Sequence, residues 1–216
     1  MNKRLILVIA KIGIFSALSI VLYFIRFPLP PFPSFLKIQF SNLPAVIGGF
    51  VMGPLYGLLI VLIRTLIALP FSSSQCVGEL ADLLIGGAVV LSSSVVYRLL
   101  KTKKGGILSL GISVVVWVLM GIFSNVYVSV PFYMKAFHLT ADDFVKILSA
   151  IPWAKWFGEV TTSNYMKMYV LTSVIPFNLL ISLVVSIITL LVYKRVSNIF
   201  HKIDDKLDSQ EESNEN

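Results

Sequence analysis

The chain has 216 residues, of which 56% are hydrophobic and only 13% are charged. This composition is far too apolar for an ordinary soluble domain and indicates an integral membrane protein. The net charge of +7 does not indicate nucleic-acid binding, because the cations are distributed as a membrane topology requires and no stripe of alternating basic and aromatic residues occurs.

Six apolar segments follow one another along the chain. Four of them have about 20 residues, enough to cross a hydrocarbon core of about 30 Å. Two shorter runs are separated only by Gly53 and Pro54, which disfavour one continuous helix. We predict an all-α fold with six transmembrane helices; the alternative is a single re-entrant hairpin with four full spans. The predicted spans are about 5–25, 43–52, 55–70, 79–99, 107–130 and 171–193.

The basic residues predict that both termini are cytoplasmic. Cytoplasmic loops carry an excess of Lys and Arg close to the spans, and six spans place three basic clusters on one side, although the lysines of segment 131–170 weaken the asymmetry. Residues 204–216 are acidic and nearly devoid of apolar side chains, so we predict a disordered tail after a membrane domain at 1–203. The clusters are Lys3 with Arg4, Lys101 with Lys103 and Lys104, and Lys194 with Arg195.

Polar side chains within apolar spans are costly and are functional candidates by default. Arg64, in the middle of IVLIRTLIAL, needs a ligand or a carboxylate partner, either Glu79 or Asp82. These acids share one helical face at the start of span four, where helix capping is the alternative role. Asn125 and Asn178 lie near the outer ends of spans five and six, where they could bind a ligand or only satisfy neighbouring helix groups. Together they predict a polar pocket open to the outside.

The loop FPLPPFPSFLKIQFSN, residues 27–42, adds a proline-stiffened aromatic surface beside this pocket. Phe35 could stack on a flat heteroaromatic ring, while Lys37, Gln39 and Asn42 could contact its polar edge. A single Phe at a membrane interface is common without a ligand, so the combination carries the prediction. The other rings that could stack are Phe27, Phe32 and Phe40.

The order of several short motifs resembles that of a known family. The motifs are PLPPFPSFLKIQFSNLPAVIGGFVMGP, GELADLLIG, the segment around Asn125, and IPFNLL with LLVYKR. They resemble the substrate-binding S components of energy-coupling factor (ECF) vitamin transporters, in particular the riboflavin type, over nearly the whole chain except its tail. The resemblance implies a six-helix subunit in the plasma membrane that captures a vitamin from outside with high affinity.

The resemblance also implies partners. Energy would come from an ECF module, which is a transmembrane coupling subunit with two cytoplasmic ATPases, because this chain has no Walker motif. On span one, Gly13 and Ala17 form a small-xxx-small pair preceded by Ala10, a pattern that permits close helix packing, either internal or with a partner. The resemblance implies that this surface contacts the coupling subunit.

Four positions depart from the riboflavin-type pattern. Gln39 and Asn42 stand where acids are usual, Arg64 stands where Lys is usual, and Asp82 stands where Asn is usual. Such exchanges alter hydrogen-bond polarity, to which a ligand pocket is sensitive. Riboflavin is the first choice of ligand, and folate, pantothenate or a pyrimidine is the alternative.

Two other functions fit the sequence less well. An intramembrane enzyme could use Glu79 and Asp82 as acid and base, but no nucleophile, metal cluster or phosphate cradle accompanies them. We therefore expect no enzyme activity, no metal and no cofactor other than the transported vitamin. A purely structural membrane protein, in which the polar residues only fasten helices, is the remaining alternative.

Overall fold

The protein is a helical bundle with one short β-ribbon at one end. The computed structural model describes residues 3–215, and within them the chain forms nine α-helices and two strands. They are α1 (Lys3–Phe24), β1 (Phe27–Pro28), β2 (Lys37–Ile38), α2 (Asn42–Met52), α3 (Pro54–Ala68), α4 (Val77–Leu100), α5 (Lys103–Ser124), α6 (Val130–Ala136), α7 (Ala141–Ser149), α8 (Tyr165–Tyr169) and α9 (Ile175–Glu215).

All six predicted apolar segments are helical. Five helical stretches are long and apolar enough to cross a membrane, and the shorter apolar helix α2 has 11 residues. At about 1.5 Å per residue, α2 is about 16 Å long and covers only about half of a hydrocarbon core. The five long stretches are Leu5–Phe24, Pro54–Phe71, Val77–Leu100, Lys104–Ala136 and Tyr165–Phe200.

The predicted turn between the two short apolar runs is present. Helix α2 ends at Met52, Gly53 has φ +114°, and α3 begins with Pro54. A residue with a side chain rarely adopts that φ, and proline is well suited to a first helical position because its missing N–H would have no partner there. Since the helical stretch Pro54–Phe71, which consists of α3 and the turn after it, is long and apolar enough to cross a membrane, the described residues contain five candidate spans and not the four of the alternative.

Helix α2 lies at the centre of the bundle, in contact with α1, α3, α4 and α9. Its close fit depends on glycine: a Cβ on Gly57 of α3 would lie 2.5 Å from Val90 and 2.8 Å from the Cα of Gly49. Large apolar side chains are instead exposed along the outer faces of α1, α3, α5 and α9. Such a surface is suited to lipid and not to water.

Two π-helical segments interrupt the long helices, and the sequence does not predict either one. Asn125–Ser129 joins α5 to α6, and Val170–Val174 joins α8 to α9. Each π turn adds a residue to the helical repeat and so changes which side chains face the bundle interior, a feature frequent at functional sites.

Helix α9 continues through Glu215, over residues for which the composition predicts disorder. Residues 204–216 include three Glu, one Lys and one Gln, and these residue types favour a helix that already extends from the final span. The helical backbone therefore extends beyond the predicted limit of the membrane domain at residue 203.

The segment between α1 and α2 folds over one end of the bundle. Strands β1 and β2 pair antiparallel, with Phe27 opposite Ile38 and Pro28 opposite Lys37. The Phe32 ring packs edge-on against Trp153 and Phe177, with centroid distances of 5.4 and 5.3 Å. This aromatic contact anchors the loop and positions the residues that follow it in the candidate site.

Candidate ligand-binding site

Two adjoining cavities lie beneath this loop. The larger cavity has a volume of about 320 Å³ and the smaller one about 120 Å³. The larger is at the lower end of the range for small-molecule sites. Because the two share five wall residues, they form one composite site. The shared residues are Phe35, Lys37, Gln39, Gly78 and Tyr133.

Seven of the nine residues predicted to bind substrate line the smaller cavity. They come from the loop, α2, α4, the first π segment and α9, which are distant in sequence. Arg64 and Glu79 are absent from both cavity walls. The seven are Phe35, Lys37, Gln39, Asn42, Asp82, Asn125 and Asn178.

Aromatic rings form much of the apolar wall. The ring of Phe35 lies with its centroid 5.7 Å from that of Tyr133 and 5.9 Å from that of Tyr169. Trp117 and Phe177 line the smaller cavity from α5 and α9. By contrast, Phe27 is half exposed and lines neither cavity. These walls can enclose a flat ring between aromatic faces and edges.

Arg64 is completely buried behind the smaller cavity, where its partner is Asp82 and not Glu79. The Arg64 Nη2 atom lies 2.6 Å from Asp82 Oδ2, and Nη1 donates hydrogen bonds to Ser41 Oγ and Asn42 Oδ1, both at 2.8 Å. Gly86 leaves room for this group, since a Cβ there would lie 2.5 Å from Asn42 Oδ1. Arg64 thus supports the wall of the site without lining it.

Gln39 connects this buried pair to the cavities. Its Nε2 atom donates a hydrogen bond of 2.8 Å to Asp82 Oδ1. Its Oε1 atom is buried and accepts no hydrogen bond from the described residues. A buried acceptor without a partner is costly, so this oxygen is a ready acceptor for a ligand donor.

Glu79 has a structural environment that the sequence interpretation did not identify. Its Oε1 accepts a hydrogen bond of 2.5 Å from Tyr23 and lies 3.4 Å from Arg26 Nη1, while Oε2 accepts bonds from Ser72 at 2.5 Å and Ser74 at 3.1 Å. With both oxygens engaged and the residue buried, Glu79 ties α1 and the segment before α4 together. The only sequence signals were Tyr23 and Arg26 three residues apart and the serine run ending at Ser74.

Two carboxamides that line the smaller cavity, those of Asn125 and Asn178, are each held by a neighbouring helix turn. Asn125 Oδ1 accepts a hydrogen bond of 2.6 Å from Tyr169, and its Nδ2 donates to the Gly121 carbonyl at 2.8 Å. Asn178 Nδ2 donates to the Val174 carbonyl at 2.8 Å. A carboxamide nitrogen carries two hydrogens, so each residue retains a donor for a ligand.

Positive charge lies at the loop side of the composite site. Lys37 lines both cavities and Arg26 lines the larger one. Lys37 makes no ion pair with the acidic side chains that the structure describes. The site therefore combines aromatic walls, carboxamide donors, a free ammonium group and one unpartnered acceptor.

The small residues predicted to contact a partner lie outside this site. Ala10, Gly13 and Ala17 are all exposed on one side of α1. A Cβ on Gly13 would have no atom within 4 Å. Internal packing therefore does not explain the pattern.

Lys11, another buried ionisable residue that the sequence interpretation did not single out, packs its Nζ over the Phe200 ring of α9.

Comparison with known proteins agrees with this architecture. The profile of the family described as "ECF transporter, substrate-specific component" matches residues 7–193. The riboflavin transporter RibU of Staphylococcus aureus is 31% identical over 202 residues, covering 94% of both chains. The riboflavin transporter FmnP of Bacillus subtilis is 24% identical, covering 88% of this chain and 90% of its own.

A solved structure has a similar fold. The structure described as "Structure and mechanism of the S component of a bacterial ECF transporter" superimposes with a TM-score of 0.68 and 27% identity, covering 89% of this chain and 96% of the other. Together with the apolar helices, these matches identify a multi-pass protein of the plasma membrane. The chain belongs to the substrate-specific components, or S components, of ECF transporters.

Proposed function

We propose that this S component captures riboflavin, or a closely related flavin, from outside the cell for ATP-driven uptake. The observation that carries the proposal is the composite site, in which aromatic walls adjoin a polar edge with the unpartnered Gln39 Oε1. The riboflavin transporters among its relatives support the same ligand.

The chemistry of a flavin matches the distribution of groups in the site. Its ring system is flat and apolar along most of its faces, and one edge carries an imide with carbonyl acceptors and an N–H donor. Phe35 and Tyr133 offer aromatic contact with the ring. Asn125 and Asn178 offer donors to the carbonyls, while Gln39 offers the acceptor that the N–H requires.

A fluorescence titration tests this proposal. Riboflavin fluorescence should be quenched saturably by purified protein in detergent. Asn178→Leu should weaken binding by about fivefold to about 150-fold, because one lost ligand hydrogen bond with an unsatisfied partner costs about 1–3 kcal/mol. Asp142→Asn, at an exposed position of α7, should bind riboflavin as the unaltered protein does. Saturable binding of folate, pantothenate or a pyrimidine without binding of riboflavin would show that the ligand is wrong.

We propose that the partners are a transmembrane coupling subunit and two cytoplasmic ATPases, contacted through Ala10, Gly13 and Ala17. The exposure of these residues and the open space at Gly13 support a helix-to-helix contact there. Gly13→Val should reduce co-purification with the coupling subunit while riboflavin binding persists. Gly111→Val is a matched control, because Gly111 also lies exposed in a span with no atom within 4 Å of its Cβ position. Equal loss of assembly in both variants would contradict the assigned contact.

We propose further that the chain binds its ligand without converting it. The paired-acid alternative requires two carboxyl groups free to exchange protons, but Glu79 is fully engaged by four side chains and Asp82 pairs with Arg64. Riboflavin recovered after prolonged incubation should be chemically unchanged by mass spectrometry. A protein-dependent product that disappears with Asp82→Asn would support an enzyme instead.

A further inference from the structure

Three polar side chains form a row from the buried interior to the cavity wall. Arg64 Nη2 lies 2.6 Å from Asp82 Oδ2, and the other oxygen of Asp82 accepts a 2.8 Å hydrogen bond from Gln39 Nε2. Arg64 has no exposed surface and Asp82 is buried as well. Each side chain in the row therefore determines which hydrogen-bonding group the next side chain directs toward it.

The chemistry of the row allows only one orientation of the Gln39 amide. A guanidinium donates hydrogen bonds and accepts none, and a carboxylate beside it is ionised and only accepts. The end of the Gln39 side chain that faces Asp82 must therefore be the NH₂ group. The carbonyl oxygen is turned the other way and is left buried without a partner beside the cavities that Gln39 lines.

We propose that Asp82, held by Arg64, is a positioning residue that fixes the Gln39 carbonyl toward the cavity and makes the site select ligands with a ring N–H donor. This inference rests on the proposed function for the identity of the ligand, with the imide N–H of a flavin as the donor. The orientation of the amide, however, is a property of the protein alone.

Asp82→Asn tests this role because it changes polarity while conserving shape. Arg64 donates only, so the new carboxamide turns its oxygen toward Arg64 and its NH₂ toward Gln39. Gln39 then accepts from residue 82 through Oε1 and turns its own NH₂ toward the cavity. The substitution thereby replaces the acceptor of the site with a donor without removing any side chain from it.

Nuclear magnetic resonance of the ligand-free protein tests the orientation. Labelling with ¹⁵N-glutamine gives three side-chain amides, from Gln39, Gln75 and Gln210. The Gln39 protons should exchange with water at least about tenfold more slowly than those of exposed Gln75, and Asp82→Asn should abolish most of this protection. Exchange of Gln39 as fast as that of Gln75 in the unaltered protein would overturn the proposal, and this measurement needs no variant that must fold.

Ligand discrimination tests the consequence. The unaltered protein should bind riboflavin at least about tenfold more tightly than N3-methylriboflavin, which lacks the donor. In Asp82→Asn this preference should disappear, whereas Asp142→Asn, the same exchange on an exposed helix, should retain it. An unchanged preference in Asp82→Asn would contradict the positioning role. Failure of the unaltered protein to bind riboflavin would instead reject the proposed ligand, and the exchange of the Gln39 amide would still decide the orientation.

Discussion

The buried pair of Arg64 and Asp82 should be strongly coupled in stability, and a double-mutant cycle can measure this. Arg64→Met leaves the Asp82 carboxylate buried without its counter-ion, and Asp82→Leu leaves the guanidinium with only its neutral partners Ser41 and Asn42. The double variant replaces the whole pair with apolar side chains.

The burial of both groups determines how much stability each variant should lose. Arg64 is 0% exposed and Asp82 is 8% exposed, and removing one member of a buried ion pair costs about 3–5 kcal/mol. Replacing both members with apolar residues is often neutral or stabilising. We therefore expect each single variant to be less stable than the double variant. With a loss of about 3–5 kcal/mol in each single variant and a neutral double variant, the coupling free energy is about 6–10 kcal/mol.

The assay is reversible unfolding in mixed detergent micelles, followed by the fluorescence of the three tryptophans. The exposed pair of Asp143 and Lys146, which are 3.8 Å apart, provides a matched cycle at the surface. Its coupling should be far smaller, because water screens exposed ion pairs. If both cycles gave equally weak coupling, Arg64 and Asp82 would have to be hydrated, and the argument for a rigid support behind the cavity would fail.

Two further variants and one pH dependence test individual contacts. Tyr169→Phe removes the 2.6 Å hydrogen bond to Asn125 Oδ1. It should lower the free energy of unfolding, measured by denaturant titration, by about 1–3 kcal/mol. It should also weaken riboflavin binding, measured by ligand titration. Gly121→Ala would place a Cβ 2.6 Å from the Asn178 carboxamide and should weaken binding in the same titration, with unchanged affinity contradicting the position of Asn178. Hydrogen bonds from the α7 cap lower the pKa of Asp143. Hydrogen-exchange protection of the first turn of α7 should therefore persist above the ordinary Asp pKa and be lost as the pH falls through the lowered pKa. Protection that is independent of pH in this range would exclude a role of the Asp143 carboxylate in the cap.

Hydropathy and local chain chemistry predicted the six apolar helical segments. Long apolar runs predicted the spans, and Gly53 with Pro54 predicted the break that the structure contains. Polar residues within apolar runs predicted three side chains of the cavity wall, Asp82, Asn125 and Asn178, and the composition of the loop at 27–42 predicted four more. These signals are local, because the cost of a polar group in lipid acts on each residue separately.

The pairing of side chains could not be predicted in the same way. The sequence left Arg64 with two possible partners, and only the packing of α3 against α4 selects Asp82. Glu79 is engaged by Tyr23, at the distant end of α1, and by Arg26, just beyond it. The π segments were missed because a one-residue change in helical repeat leaves no clear trace in hydropathy.

The identity of the bound ligand tests the central claim most directly. Purified protein can be incubated with an equimolar mixture of riboflavin, folate, pantothenate and a pyrimidine, washed, and denatured, and the released ligand can then be identified by mass spectrometry. We predict that riboflavin is recovered in stoichiometric amount and that the other three are not. Recovery of another member of the mixture in place of riboflavin would contradict the claim.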